Sequence, residues 1–338
     1  MSSIRKKLKI LGTNFLFLLL FLILAEFGLR IANLGYDNAA FEPDSVLHHI
    51  HRPDYFFIHS NAAEHEYGNI QVRYDRMGCV VNPNEKKTEN CRGKIWFFGD
   101  SYIEALQVNY DSSVVGILEK DFPDVCFKNF AVGAYSPILH YLKLKHLLKS
   151  DKPDVAFLFL YANDVAEDKQ YFNKAKFNGQ EVTAVDGGMP QWKYEIIRNS
   201  NLLRLVRKFY MQMTVKFENN RNLNESALNE SKDILAEPTL TYLEKFVALC
   251  KDNKIRVIVS CIPSKRDILK TDINTDSFSN QIKAWCSGRC DFLDSQSPLQ
   301  SFYLETNKSP YYKNDIHFNN YGHRILATTI AQSQTIKN

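Results

Sequence analysis

Apolar residues in this chain fall into two patterns that alternate along it. Continuous runs at Ile95 to Phe98 (within KIWFFGDSYIE), Val125 to Val132, Asp154 to Leu160 and Ile255 to Ile262 predict strands covered on both faces, because they lack the polar alternation of a half-solvated strand. Asp291 to Leu293 predicts a further short strand. Between and after these runs the spacing becomes helical: Ser113 to Lys120, Ile138 to Lys149, Thr239 to Lys251, Ser279 to Cys286 and Tyr321 to Gln332. Thr239 to Lys251, for example, places Leu240, Leu243, Phe246, Val247 and Cys250 on one face. Buried strands alternating with helices predict a three-layer α/β domain, with right-handed crossovers laying helices on both faces of a mainly parallel sheet.

Three segments break the alternation. Residues 1–9 carry Arg5, Lys6, Lys7 and Lys9 ahead of an apolar run from Ile10 to Ala25, which Glu26 interrupts before Phe27, Leu29 and Ile31 resume it. Residues 10–31 predict a transmembrane anchor, and the basic flank predicts a cytoplasmic N-terminus with the rest of the chain on the exported side. A cleaved signal peptide is the competing reading. The run exceeds an ordinary signal core and lacks a clear A-x-A site, so a retained anchor is preferred. Residues 32–92 form an irregular stem with prolines and with histidines at 48, 49, 51, 59 and 65, read as solvated or packing residues beside short strands such as Ile70 to Tyr74. Their spacing matches no compact metal-ligand motif. Residues 93–338 hold the α/β domain, with an insertion at about 165–237 that includes a turn at Asp186-Gly187-Gly188. Its amphipathic part, Ile196 to Met213 with Arg204, Arg207 and Lys208, is open to three readings: a lid, a surface excursion, or a segment lying on a membrane.

Composition changes this picture little. In 338 residues, 45% apolar, there is material for one large domain with appendages, and a net charge of +4 from scattered basic residues argues against nucleic acid as a partner. The seven cysteines are not at zinc spacings. In an oxidising compartment, proximity suggests Cys79 with Cys91 and Cys286 with Cys290; Cys126 and Cys261, inside apolar runs, read as buried thiols, and an odd count leaves at least one of the seven unpaired.

Candidate chemistry gathers at the strand ends. Ser101 follows the first strand in GDS, Gly133 follows the second, and Asn163-Asp164 follow the third. Near the C-terminus Asp315 stands two residues before His317, a spacing at which a carboxylate can orient an imidazole whose other nitrogen takes a proton from a serine. His323 is the only nearby competitor and falls inside the predicted last helix.

In this order and spacing, over Lys94 to Ala331, the motifs Gly99-Asp100-Ser101, Gly133, Asn163-Asp164 and Asp315-Ile316-His317 resemble blocks I, II, III and V of the SGNH/GDSL hydrolase superfamily. The resemblance implies a flavodoxin-like α/β/α sandwich. It further implies Ser101 as nucleophile, His317 as base, Asp315 as its orienter, and an oxyanion hole from the Ser101 and Gly133 N–H groups and the Asn163 amide. Asp100 and Asp164 are expected to bond loop backbone. Tyr161 stands where the family often has glycine, and Tyr102 where leucine or phenylalanine is commoner; both aromatics are candidates to line the pocket. The implied activity is ester hydrolysis through an acyl-enzyme on an O-acylated, notably O-acetylated, envelope carbohydrate or lipid, with no cofactor and no metal. Transfer of the acyl group to a glycan by the same triad, or a non-catalytic scaffold of the same fold, are the alternatives.

Overall fold

The structure, a computed structural model, describes residues 2–32, 41–60, 68–84, 91–207, 209–210, 213, 235–269, 278–333 and 336. They fall into two compact units, one drawn from Met1–Ala40 and Met189–Glu230, the other from Phe41–Gly188 and Ser231–Asn338. His65 and much of the insertion lie outside the described residues.

In the first unit α1 (Ser2–Ile31) contains a segment, Ile4–Ile31, long and apolar enough to cross a bilayer. The second unit is built on a sheet of eight strands. Five are parallel: β6 (Gly93–Phe98), β7 (Val125–Asn129), β8 (Val155–Leu160), β11 (Arg256–Cys261) and β12 (Asp291–Leu293), in the spatial order β7-β6-β8-β11-β12. Numbered by their order in the chain this is 2-1-3-4-5, the flavodoxin-like arrangement, in which the strand order reverses beside the first strand. Beyond β7 the sheet continues antiparallel through β5 (Val80–Val81), β4 (Asn69–Tyr74) and β3 (Phe56–Ser60). A separate hairpin pairs β1 (Phe41–Asp44) with β2 (His48–His51).

The run IWFF becomes the centre of the core because both its faces are covered. Trp96 and Phe98 pack with Ala156 and Leu158 under Leu243, Phe246 and Val247 of α8 (Thr239–Asp252) and Ile282 and Trp285 of α10 (Phe278–Cys286). On the opposite face Phe97 stacks on Phe157 at 5.1 Å and on Phe159 at 6.0 Å. The remaining helices follow the spacing closely: α3 (Val114–Asp121), α4 (Pro137–Leu147) and α12 (Asn320–Gln332), the first capped by Ser113 and the last by Asn319.

Five features depart from expectation. The second strand stops at Asn129, and residues 130–136 form a loop. The insertion begins with helix α5 (Asp164–Asn173) and a hairpin of β9 (Ala175–Asn178) and β10 (Glu181–Val185). A helix α11 (Gln296–Thr306) follows β12. Cys91 bonds Cys126, not Cys79: Gly93 and Val125 are paired in register, which brings the entrance of β6 beside β7 and sets the two Cα atoms 5.5 Å apart. Cys286 and Cys290 are thiols within hydrogen-bonding reach of each other rather than a disulfide.

Candidate active site

β6 delivers Ser101 to the carboxyl edge of the sheet. Gly99 is needed there for space rather than for an unusual backbone angle, since a Cβ on it would lie 2.8 Å from Ile103 Cγ1 and 3.3 Å from Phe159 Cβ. One residue on, the buried Asp100 accepts a hydrogen bond from the Tyr102 N–H at 3.0 Å and so starts the single turn α2 (Ser101–Glu104). Burial, partly opposed by that bond and by nearby His317, pushes the Asp100 carboxyl up to about 6.

The segment carrying Asp315 and His317 is a tied loop. Tyr311 and Phe318 pair across its base, the Tyr312 N–H donates to the His317 carbonyl at 3.1 Å, and the Asn319 N–H donates to the Pro310 carbonyl at 3.0 Å. Tyr102 fastens it from the nucleophile side: its hydroxyl donates to the Ile316 carbonyl at 2.9 Å and its ring lies 5.0 Å from that of His317. Tyr102 is buried, so it holds this loop and does not line an open pocket. Tyr161 meets it at 4.8 Å between ring centroids.

These ties bring three side chains into line. His317 Nε2 is 2.8 Å from Ser101 Oγ, and His317 Nδ1 is 2.5 Å from Asp315 Oδ1, which also accepts the His317 backbone N–H at 3.0 Å. Ser101 is half-buried and His317 retains 17% of its side-chain exposure, so solvent reaches the pair. His323 is elsewhere in function: it is buried in α12 with its ring edge-on to Phe318, and burial holds it neutral, at about 3.

Gly133 lies beside this line, because a Cβ on it would sit 3.8 Å from Ser101 Cβ and 2.9 Å from Glu104 Oε2. Three successive carbonyls of its loop are bonded. Val132 accepts from the Tyr135 N–H at 3.1 Å, Gly133 from His49 Nε2 at 2.8 Å, and Ala134 from the Tyr171 hydroxyl at 2.6 Å. The Ser101 and Gly133 N–H groups have no acceptor among the described residues, as an oxyanion hole requires. Asn163 stands at the start of α5, after β8, next to β6 in the sheet. It is exposed, and its amide donates to Glu167 Oε1 at 2.9 Å, leaving one N–H uncommitted. Asp164 accepts from the Tyr161 N–H at 3.2 Å, and burial raises its pKa well above the ordinary carboxylate range.

Three residues at the site had been given no part in it by the sequence. His49, on the stem hairpin, is half-buried, and desolvation lowers its pKa. A carbonyl can only accept, so its Nε2 carries the proton and its Nδ1 receives that of His48 Nδ1 at 2.9 Å; His48 is itself held down at about 4, mainly by burial. His51 Nε2 lies 2.7 Å from Glu104 Oε1, beneath the turn that bears Ser101, with its ring stacked on Tyr74 at 3.9 Å. Glu167 is pushed up to about 8 by burial and then by the charges of Asp100 and Asp168. Of the two readings of the stem histidines, His48, His49 and His51 follow the packing one, as bonded residues of the site, and not the solvated one. The one available signal was three histidines within the four residues of a short strand. Among the described residues no group of side chains could hold a metal ion.

No protein-family model and no curated protein matches the chain. Solved structures do. The chain is similar to GDSL-type lipolytic proteins and acetyl xylan esterases. An α/β hydrolase from the metagenome of Lake Arreo, LAE5, has a TM-score of 0.46 at 14% identity, covering 73% of this chain and 97% of that one. The acetyl xylan esterase AlAXEase gives 0.44 at 15%, with 71% and 98% covered. A G-D-S-L family lipolytic protein of Veillonella parvula DSM 2008 gives 0.41 at 16%, with 72% and 98% covered. At these values the likenesses carry no argument, and the site rests on its own geometry.

Proposed function

We propose that this protein is a serine ester hydrolase with Ser101, His317 and Asp315 as its triad. The observation that carries the reading is the unbroken contact from Ser101 Oγ through the His317 ring to Asp315. Serine is a weak nucleophile until a base takes its proton as it attacks. His317 Nε2 is placed to take that proton, while Asp315 holds the Nδ1–H and stabilises the imidazolium that forms. Attack on an ester carbonyl puts negative charge on its oxygen. The Ser101 and Gly133 N–H groups and the second N–H of Asn163 are its proposed donors, each worth about 3 kcal/mol in a preorganised site. The proton on Nε2 then passes to the departing alkoxide, leaving an acyl-Ser101, and water activated by the same nitrogen releases the acid.

The proposed substrate is an O-acylated, notably O-acetylated, carbohydrate or lipid of the envelope, on the exported side of the membrane in which α1 is anchored. Support comes from the length and hydropathy of α1, the basic residues ahead of it and the motif order. Labelling the full chain with a fluorophosphonate, with Ser101→Ala as control, tests the nucleophile. Hydrolysis of p-nitrophenyl acetate, with free acetate and acetylated glycan followed in parallel, tests the reaction. Labelling confined to Ser101 with stoichiometric acetate release is expected. Acetylated glycan formed without free acetate would replace hydrolysis by transfer, and an unlabelled Ser101 in folded protein would leave the triad without a catalytic role.

A further inference from the structure

Glu26 is an expensive residue to keep inside an apolar span, and the structure supplies it with donors. It accepts from Arg30 Nε at 2.6 Å on its own helix, from the Ser200 hydroxyl at 2.9 Å, and from the backbone N–H groups of Asn201 and Leu202 at 3.0 and 2.9 Å. Arg30 also donates to the Asn199 carbonyl at 2.6 Å. The last two turns of α1 are therefore pinned to the junction between α6 (Gln191–Asn199) and the helix that follows it, α7 (201–207). Twenty residues cross a hydrocarbon core, so a span entered after Lys9 brings Glu26 and Arg30 to about the far hydrocarbon–headgroup boundary.

What is pinned at that level is amphipathic. On α6, Trp192 and Ile196 are one turn apart and exposed at 66% and 54%. From α7 onward, exposed Leu203, Val206, Tyr210 and Met213 follow one another at intervals of three, four and three residues, one stripe of a helix. Lys193, Arg198, Arg204 and Arg207 are interspersed with them. Isolated exposed apolar residues need no explanation, but a run of this kind does. Its pattern of Trp, Tyr and aliphatic residues beside basic ones is that of a segment lying at a bilayer surface, aromatic rings at headgroup level and cations toward lipid phosphates.

We infer that α6 and α7 form a membrane foot: Glu26 and Arg30 clamp the pair to the exit of α1, and its apolar stripe lies in the outer boundary of the bilayer that α1 crosses. The occupant of this face is lipid. The inference rests on α1 spanning a membrane and is independent of the serine chemistry.

The test uses the full chain in proteoliposomes of phosphatidylcholine and phosphatidylglycerol, with acyl chains brominated near the headgroup as quencher. The other two tryptophans, Trp96 and Trp285, are buried in the core of the sheet unit. The emission of Trp192 is therefore the difference between wild type and Trp192→Phe. Brominated lipid is expected to quench that difference signal strongly, and aqueous iodide weakly. Glu26→Ala should reverse the two sensitivities while α1 still resists alkaline extraction. A Trp192 signal quenched by iodide and untouched by brominated lipid, with α1 still resistant to extraction, would overturn the foot. Extraction of the chain by alkali would overturn the span on which it rests.

Discussion

Glu167 makes the proposed oxyanion hole sensitive to alkali in a way that can be calculated. Its carboxyl is pushed up to about 8, so at pH 7 about nine in ten molecules carry it neutral. Its Oε1 lies 2.9 Å from the Asn163 amide nitrogen. An oxyanion bound by the other N–H of that amide would lie about 3 Å from the nitrogen, hence within about 6 Å of Oε1. Two like charges at 6 Å repel by about 2.8 kcal/mol at an effective dielectric constant of 20 and about 0.7 kcal/mol at 80. Asn163 is exposed, so an intermediate value applies, equivalent to about a tenfold loss of rate once Glu167 ionises. The sign follows from the direction of the shift: the carboxyl is protonated below 8 and charged above it, so the loss appears on the alkaline side. Steady-state hydrolysis of p-nitrophenyl acetate, corrected for the spontaneous reaction, should give a kcat that declines through about pH 8. Glu167→Gln keeps an acceptor for Asn163 without the charge, so it should match wild type within about twofold at pH 7 and show no decline to pH 9.5. An alkaline limb of the same position and depth in both proteins would refute the coupling.

Other positions yield expectations of their own. His49→Ala removes the donor to the Gly133 carbonyl, a bond worth about 1 kcal/mol net; kcat should fall about fivefold with KM unchanged, and His49→Gln, which restores an N–H donor, should recover part of it. Gly133→Ala would force a Cβ to 2.9 Å from Glu104 Oε2, whose partner oxygen is held by His51, and should cost about tenfold in kcat while Ser101 still labels slowly. His140 is buried with neither ring nitrogen partnered among the described residues, and burial holds it at about 3 against an ordinary 6.5. Its contribution to stability is complete above 6.5 and is lost at about 1.4 kcal/mol per pH unit as pH falls toward 3. His140→Leu should therefore exceed wild type in urea resistance by about 2 to 3 kcal/mol more at pH 4.5 than at pH 7.

The buried strands were legible because apolar runs have few alternatives, and Trp96 to Phe98 and Ala156 to Leu160 occupy the core that such runs require. Ser101, Asp315 and His317 were legible as types in order, with the contact between them supplied only by the fold. α5 escaped because its inward face is polar: of DVAEDKQYFN, Asp164 and Asp168 are buried along with Val165 and Tyr171, so no apolar stripe marks it. The β9–β10 hairpin escaped for the opposite reason, as β9 buries almost nothing. Cys126 looked like a core thiol from its apolar neighbours, since its pairing with Cys91 depends on strand register across 35 residues. His49 acts on a main-chain carbonyl 84 residues away, and such a partner leaves no periodicity in sequence; Glu167 meets Asn163 at a helical i, i+4 spacing, but in a segment that no apolar stripe marked as helix.

The stem is the least regular part of the unit and yet the best connected to the loops that matter. Its strands β3 to β5 continue the sheet from β7, whose exit leads into the Gly133 loop. Its hairpin sends His49 to the Gly133 carbonyl and His51 to Glu104, while the His49 carbonyl accepts from the Tyr135 hydroxyl at 2.6 Å. β10 joins the same hairpin from the other side, through the Val185 N–H to the Val46 carbonyl at 2.8 Å. A loop built of Gly133 and Ala134 has little packing of its own to fix it, and each of its carbonyls needs a partner once it is covered. Gly133 is half-buried and Ala134 exposed, so the stem's share is to hold the Gly133 carbonyl in place through His49 rather than to exclude water from the loop. Deleting residues 41–60 should therefore lower turnover even though none of them belongs to the triad, and the loss should appear in kcat and in the rate of fluorophosphonate capture alike. Unchanged turnover in a folded deletion would assign the ordering of that loop to Tyr171 and Tyr135 alone.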